Sequence, residues 1–270
     1  MRGQLPGSAR PESDGNKETA KSLDDFDEVV FLADRDHTCP VCRTRFTSKV
    51  IKPGEIKTEG MDIDMRPRSV NADIIKYRVV ECPGCGFADM EKYFNEVGAN
   101  EAALIKEKLI RKADADDINE ISREYAEAYR YYRSALRCAL IRSLKSSRRG
   151  YIALNTAWLL RGWREKLMNE GYMVMDTDPM SAEEEKKILS YTLRTFMDAW
   201  ANEDFPVCGM DGPTFDYLIA ALCYEQGHIA DSQKYLLRCL QEQDLKPVLR
   251  TMAEELREMI RAKKGSTARS

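Results

Sequence analysis

Two Cys-Pro-x-Cys tetrapeptides constrain the fold of this chain more than any other feature. They are separated by 39 residues and read Cys39-Pro40-Val41-Cys42 and Cys82-Pro83-Gly84-Cys85. A Cys-x-x-Cys turn is short enough to place two sulfur atoms on one ion, and zinc accepts four thiolates in a tetrahedron. We therefore predict one structural Zn²⁺, bound by Cys39, Cys42, Cys82 and Cys85.

The residues that follow each tetrapeptide support two metal-binding turns. Gly86 follows the second turn and suits the left-handed conformation that such a turn needs, whereas Arg43 stands at the same place in the first. Phe46 and Phe87 come shortly after the two turns. We expect these two rings to pack beneath the metal.

The insert between the turns is longer than in a common zinc ribbon, which has about 15–20 residues there. We expect strands near 45–52 and 74–81 to fill part of it. An acidic loop at 61–65 lies between these strands.

Other interpretations of the cysteines account for fewer of them. A redox Cys-x-x-Cys needs one pair in a βαβ context, which this sequence does not show. A catalytic zinc keeps one position open for water, and four thiolates leave none. His37 precedes Cys39 by two residues and can in principle replace a sulfur, but we expect it outside the ligand set. We expect the other cysteines to be core thiols on helices or, for the last, to lie in a loop: Cys138, Cys223, Cys239 and Cys208.

Composition excludes several classes of protein. Of the 270 residues, 43% are hydrophobic and 32% are charged, which suffices for one large or two ordinary domains. No window approaches the roughly 18 consecutive apolar residues of a spanning helix, and the first thirty residues lack the apolar region of a signal peptide. We therefore expect a cytoplasmic protein with no membrane partner.

The residue pattern divides the chain into three parts. Residues 1–30 are predicted to form a disordered acidic tail, because residues 1–34 hold eight acids against four bases. Residues 31–95 are rich in turn residues and short β-branched runs, which predict a zinc-ribbon-like module. Residues 96–265 have helical periodicity. The predicted fold class is therefore α+β, mainly α.

The helical part is predicted to hold six helices. The predicted spans are 118–144, 150–169, 181–202, 214–226, 229–241 and 246–263. Ser181 with Glu184 three residues on forms a capping box at the start of the third. The first has one predicted apolar stripe, Tyr125, Tyr129, Tyr132, Leu136 and Leu140, with arginines on the opposite face.

The fourth and fifth helices resemble a tetratricopeptide repeat. Gly227 supplies the turn between them, and small side chains at Ala220, Ser232 and Cys239 allow the helices to pack closely. The usual proline at the end of the second helix is absent, since Pro247 comes three positions late. The stretch 151–163 resembles the first helix of a further repeat. An irregular helical bundle is the alternative.

Four motifs in one order are similar to a known family. They are CPVCRTRFTSKV, ECPGCGFAD, LNTAWLLRGW and YEQGHIADSQKYL. Over residues 35–245 the chain resembles an uncharacterised bacterial family, domain-of-unknown-function family 2225. The resemblance implies a bacterial cytoplasmic protein with a bound metal. The sequence departs from the family pattern at Arg43 and at 69–73.

These features favour a non-enzymatic scaffold or adaptor that binds a protein partner through helical repeats. Residues 123–170 hold eleven bases and four acids, while 176–205 hold three bases and eight acids. An acidic peptide, or the chain's own acidic tail, is the expected ligand of the predicted basic face, Arg130, Arg133, Arg137, Arg142, Arg148 and Arg149. A solvated face balanced by the neighbouring acidic helix is the alternative.

Two other functions rank below the adaptor. Zinc ribbons often bind nucleic acid, but residues 35–95 hold eleven bases against nine acids and the pI is near 5.7. An enzyme ranks last because common phosphate-binding, dinucleotide-binding and hydrolase motifs are absent and the chain has two histidines. Convergence of Asp62 and Asp64 with His37 would favour an enzyme.

Overall fold

The computed structural model describes residues 28–109 and 123–267, with side chains to residue 264. The predicted acidic tail lies outside the described residues except at its end, where Glu28–Phe31 form a short 3₁₀ helix. The first residues of the helix predicted over 118–144 also lie outside them.

The N-terminal module, residues 31–95, contains three antiparallel hairpins. Strand β1 (Leu32–Thr38) pairs with β2 (Arg45–Ile51), and β3 (Thr58–Met61) pairs with β4 (Pro67–Ser69). Strand β5 (Val79–Glu81) pairs with β6 (Ala88–Met90). In the described part of the chain each sheet has two strands.

The strand predicted over 45–52 is confirmed by β2, but the strand predicted over 74–81 is wrong in its first half. Ile74–Tyr77 form a 3₁₀ helix, and β5 begins only at Val79. The cause is local, because the Asp73 carboxylate accepts a hydrogen bond from the Ile75 backbone N–H at 2.9 Å. Such a cap favours a helical turn over an extended strand.

Seven α-helices occupy most of the remaining described residues. They are α1 (Ala99–Lys108), α2 (Tyr125–Ile141), α3 (Ser146–Asn169), α4 (Ala182–Asn202), α5 (Gly212–Glu225), α6 (Ile229–Gln241) and α7 (Pro247–Thr267). The α+β, mainly α class is thus confirmed, and α1 is a helix that periodicity did not predict.

Capping side chains set several of these boundaries. Ser181 Oγ accepts a hydrogen bond from the Glu184 backbone N–H at 3.2 Å, which confirms the predicted start of α4. Asp211 caps α5 through the Thr214 N–H at 2.9 Å. Gly227 has a φ of +81° and makes the turn between α5 and α6, as predicted.

The buried face of α2 differs from the predicted stripe. Leu140 is 51% exposed, whereas Ala128, Ala135 and Cys138 are buried. The helix packs against β5 and β6 of the module on one side and against α3 on the other. Because α2 is covered on two sides, its buried residues do not form a single apolar stripe.

Helix α3 lies at the centre of the molecule. Every residue from 152 to 160 is buried, because α2, α4 and the Ile74–Tyr77 turn all pack against this helix. Ile75 and Val79 of the module share one apolar cluster with helical residues such as Leu154. The module and the helices therefore bury their apolar surfaces against each other.

A buried ion pair attaches the acidic loop, residues 61–65, to α3. Asp64 is fully buried and accepts hydrogen bonds from Trp158 Nε1 at 3.0 Å and from Arg161 Nη2 at 2.8 Å. Arg161 also bonds Asp62 at 3.1 Å. A buried carboxylate needs such partners, because burial without them is strongly unfavourable.

We expect Asp64→Asn to lower the free energy of unfolding by about 2–4 kcal/mol, since it removes a buried charge from Arg161 and presents an amide to donors. Asp34→Asn is the matched control, because Asp34 is 64% exposed and pairs with Lys49 at 2.8 Å. We expect that control to stay within about 0.5 kcal/mol of wild type in urea unfolding. Equal effects of the two substitutions would contradict the assigned role of Asp64.

Candidate metal centre

Two equivalent backbone turns present the four cysteines. In the first, Cys39 N–H donates to Thr44 O at 2.9 Å and Arg43 N–H donates to Cys39 O at 3.0 Å. The second repeats this pattern, with Cys82 N–H donating to Phe87 O and Gly86 N–H donating to Cys82 O, both at 2.8 Å. Each turn joins two antiparallel strands, β1 to β2 and β5 to β6.

Arg43 and Gly86 occupy the same left-handed position in the two turns. Their φ angles are +66° and +75°. The left-handed conformation predicted for Gly86 is confirmed, and Arg43 adopts it despite its side chain. A non-glycine residue there costs about 1–2 kcal/mol, so other interactions in the module must hold the first turn in place.

The four sulfur atoms lie within 4.8 Å of one another. Cys39 Sγ is 3.7 Å from Cys85 Sγ, and Cys42 Sγ is 3.5 Å from Cys82 Sγ. A regular tetrahedron with metal–sulfur bonds of about 2.3 Å has edges of about 3.8 Å. The observed separations therefore suit one tetrahedral ion, and the four cysteines can bind a metal.

The electrostatics of the site favour an occupying cation. Hydrogen bonds from Cys82 and Cys85 lower the pKa of the Cys39 thiol. The adjacent Cys39 sulfur raises the pKa of both Cys82 and Cys85. One thiolate therefore hinders formation of the next, and a cation relieves this conflict because it stabilises all four thiolates together.

An apolar cluster surrounds the site, and it includes the two predicted rings. Phe87 is fully buried and lies 5.2 Å from Phe94 between ring centroids, while Phe46 lies 5.3 Å from His37. Ile105 of α1 and Cys138 of α2 belong to the same cluster. The metal site is thus packed directly against the first two helices.

The His37 ring packs against Phe46 and Phe94 of this cluster, but His37 does not join the sulfur atoms. Its Nε2 atom is hydrogen-bonded to Ser48 Oγ at 2.9 Å, and burial lowers its pKa. Among the described residues the four cysteines form the one group of at least three potential ligands close enough to hold an ion. His37 is not a member of that group.

The other cysteines lie where the sequence predicted. Cys138, Cys223 and Cys239 are fully buried on α2, α5 and α6. Cys208 lies half-buried in the loop between α4 and α5.

The six predicted partner-binding arginines fall into two groups in the structure, three that bond other parts of the protein and three that lie on the surface. Arg142 is buried, and its guanidinium bonds Asp89 of β6 at 2.7 Å, so an exposed position for Arg142 is wrong. Arg148 bonds the same carboxylate at 3.1 Å with its side chain 16% exposed. Arg149 is half-buried and donates to Ser146 Oγ at 2.9 Å. These three side chains therefore form bonds within the protein, in its interior or close to it.

The remaining three arginines lie on the surface of α2. Arg130 is 44% exposed and pairs with Glu81 at 3.3 Å. Arg133 and Arg137 are exposed, and Arg133 lies over the ring of Tyr129 at 5.8 Å. The exposed basic face is therefore Arg130, Arg133 and Arg137.

Sequence reasoning did not identify two clusters of buried charge. The first is Asp89 with Arg142 and Arg148, and a single acid within the apolar segment Phe87–Met90 was its visible sign. Burial raises the pKa of Asp89, while the two arginines oppose that shift.

The second cluster surrounds Arg161. Its guanidinium lies near Asp62 and Asp64 of the acidic loop, Glu185 of α4 and Glu225 of α5. Burial raises the pKa of Glu225 to about 8. Asp62 and Asp64 thus converge on Arg161, and they do not form the group with His37 that would favour an enzyme.

The fold and the site define a predominantly helical α+β protein with four cysteines that can bind a metal ion. The chain belongs to the family described as "Uncharacterized protein conserved in bacteria (DUF2225)", whose model matches residues 32–264. The resemblance found over 35–245 is thereby confirmed. None of the curated proteins and none of the solved structures compared with the chain matches it significantly. Within the described residues, every helix is too short or too polar to cross a membrane.

We expect Cys82→Ser to reduce bound metal from about one ion per chain to a small fraction of that, because three thiolates hold the ion less tightly. Elemental analysis of the purified protein measures this. Cys208→Ser is the matched control, since Cys208 lies outside the sulfur cluster. Full retention of metal in Cys82→Ser, or equal loss in both variants, would contradict the assigned site.

Proposed function

We propose that the protein is a non-enzymatic, zinc-stabilised adaptor that binds a protein partner through its helices. The observation that carries the proposal is an apolar groove with a basic margin on α2, α3 and α4. The metal supplies the fold of the module that supports these helices.

Zinc is the metal that fits the site best. Tetrahedral sites with four sulfur ligands hold zinc or iron, and zinc in such sites is structural because the protein fills every position. Two-stranded hairpins have little stability of their own, so an ion that joins the β1–β2 and β5–β6 turns stabilises both.

We expect about one zinc per chain in protein purified from cells without added metal, since four thiolates bind zinc tightly. Elemental analysis that quantifies zinc and iron together tests the metal. We also expect a strong chelator to lower the unfolding temperature, with zinc restoring it. A result of one iron per chain with no zinc would contradict zinc as the bound metal, but it would still support the four-cysteine site.

The α5–α6 hairpin supports the tetratricopeptide-like description. Ser232 Oγ donates a hydrogen bond to Ala220 O at 2.7 Å, and both residues are fully buried. Cys239 is also fully buried, at the predicted small position. Small residues at these points allow close packing of the two helices, which is how such repeats stack.

The groove has the character of a peptide site. Its cavity volume is about 240 Å³. Pockets for small molecules usually have about 300–1,000 Å³, so this cavity suits one or two side chains of a peptide. The lining residues come from three helices: Tyr129, Tyr132, Arg133, Leu136, Ala153, Thr156, Glu184, Lys187, Ile188 and Tyr191.

Charge around the groove favours an acidic partner segment. Arg133 lines the groove, and Arg130 and Arg137 lie about one helical turn to either side on α2. Lys187 on the opposite wall is 63% exposed and lies 3.4 Å from Glu184. Apolar side chains of a partner would enter the cavity, and its carboxylates would face the arginines.

Nucleic-acid binding by the module has less support. Three of its cations are engaged by acids: Lys49 by Asp34 at 2.8 Å, Arg66 by Glu165 at 2.8 Å and Lys76 by Glu28 at 2.6 Å. Paired cations attract phosphates weakly. An enzyme has less support still, because Asp62 and Asp64 engage Arg161.

The adaptor function is tested by affinity capture from the native organism with the full-length chain. We expect the double variant Arg133→Glu and Arg137→Glu to lose captured partners by about tenfold, since charge reversal opposes an acidic ligand. Arg257→Glu with Arg261→Glu is the matched control, because these α7 arginines are exposed with the same spacing. Equal capture by both double variants would contradict a partner site on α2, and capture of nucleic acid alone would contradict the adaptor.

A further inference from the structure

The described chain begins beside one end of the groove. Glu28 accepts hydrogen bonds from Lys76 Nζ and Tyr77 Oη, each at 2.6 Å. Lys76 Nζ lies 5.2 Å from the ring centroid of Tyr125, the first residue of α2. Residues that precede Glu28 therefore start next to the N-terminal end of this helix.

Tyr125 and the groove are connected through one aromatic group. The ring of Trp163 on α3 lies 6.5 Å from that of Tyr125 and 6.4 Å from that of Tyr129. Tyr129 is a lining residue, one turn further along α2. The groove continues from there along α2 to Leu136.

The segment directly before Glu28 has the composition that the groove favours. Residues 23–27 read Leu-Asp-Asp-Phe-Asp, with three acids, two apolar side chains and no base. Among the described residues, Arg133 and Arg137 have no ion-pair partner. The Tyr191 hydroxyl is buried and has no hydrogen-bond partner there either. An acidic segment with apolar anchors would satisfy these groups.

The length of residues 23–27 matches the length of the groove along α2. A polyproline II segment spans about 3.1 Å per residue with three residues per turn, and an α-helix rises about 1.5 Å per residue. In that conformation Phe26, two residues before Glu28, would reach about 6 Å, level with Tyr129, which is about 6 Å along α2 from Tyr125. Leu23 would lie on the same side of the segment as Phe26 and reach about 16 Å, level with Leu136 at about 16 Å. Asp24 and Asp25 would fall between them, level with Arg133.

We propose that residues 23–27 occupy this groove in the same chain, with Phe26 and Leu23 in the cavity and the aspartates facing Arg133 and Arg137. The occupant covers the surface assigned to the partner, so a partner must displace it; this regulatory role rests on the proposed adaptor function. The contact within the chain does not depend on that function.

Photo-cross-linking within the purified full-length protein tests the contact without any partner. A benzophenone amino acid replaces Phe26, and a control protein carries it at Glu18 instead. We expect cross-links from position 26 to α2 and α4 residues of the groove, within one chain, and no such cross-links from position 18. Cross-links from position 26 to other surfaces, or between two copies only, would overturn the proposal.

Charge reversal provides the second readout. We expect Arg133→Glu with Arg137→Glu to lower the yield of groove cross-links by about fivefold, and Arg257→Glu with Arg261→Glu to leave it unchanged. Adding Asp24→Lys and Asp25→Lys to the first variant is expected to restore the yield to within about twofold, because opposite charges face each other again. An unchanged cross-link yield after the Arg133→Glu and Arg137→Glu reversal would overturn the charge pairing. So would a yield that the added Asp24→Lys and Asp25→Lys substitutions do not restore. If groove cross-links are present in the wild-type chain, failure of partner capture even by Asp24→Lys with Asp25→Lys, whose segment no longer pairs with the arginines, would reject the adaptor function alone.

Discussion

The convergence of four sulfur atoms within 4.8 Å of one another is the constraint on which the rest of the structure depends. The atoms come from two turns that are 39 residues apart, so their meeting fixes β1–β2 against β5–β6. Neither two-stranded hairpin has a core of its own. Phe87, Ile105 and Cys138 extend the same cluster to α1 and α2. The four-cysteine cluster therefore connects the module to the first two helices.

Two clusters of buried charge orient the module on the helices. Asp89 on β6 engages Arg142 and Arg148, while Asp64 in the acidic loop engages Arg161 on α3. A buried charge without its partner is strongly destabilising, so each cluster permits one arrangement of the two parts. The clusters act at separate places on the module. Together they connect β6 and the acidic loop to the C-terminal end of α2 and to α3.

The groove lies between three helices, and the start of the described chain lies near one end of it. Its walls come from α2, α3 and α4, and its basic lining residues are Arg133 on α2 and Lys187 on α4. Glu28 is hydrogen-bonded to Lys76 and Tyr77, and Lys76 lies against Tyr125. The described chain therefore begins beside the N-terminal end of α2. The proposed peptide site and the start of the described chain thus lie near the same end of α2. This proximity connects the proposed partner site with its proposed control.

Local sequence alone predicted each Cys-x-x-Cys turn, the start of α4 at Ser181 and the turn at Gly227, because each depends on residues a few positions apart. It predicted neither the buried face of α2 nor the 3₁₀ turn at 74–77, and it placed Arg142 on the surface. Arg142 and Asp89 are 53 residues apart, and no periodicity relates them. Only tertiary packing decides which of several arginines on neighbouring helices meets a buried carboxylate, since desolvation and partner geometry depend on the whole fold. The sequence by itself therefore determined the four candidate metal ligands and most helices, and the tertiary structure decided which charged side chains are buried in ion pairs and which are exposed on the surface.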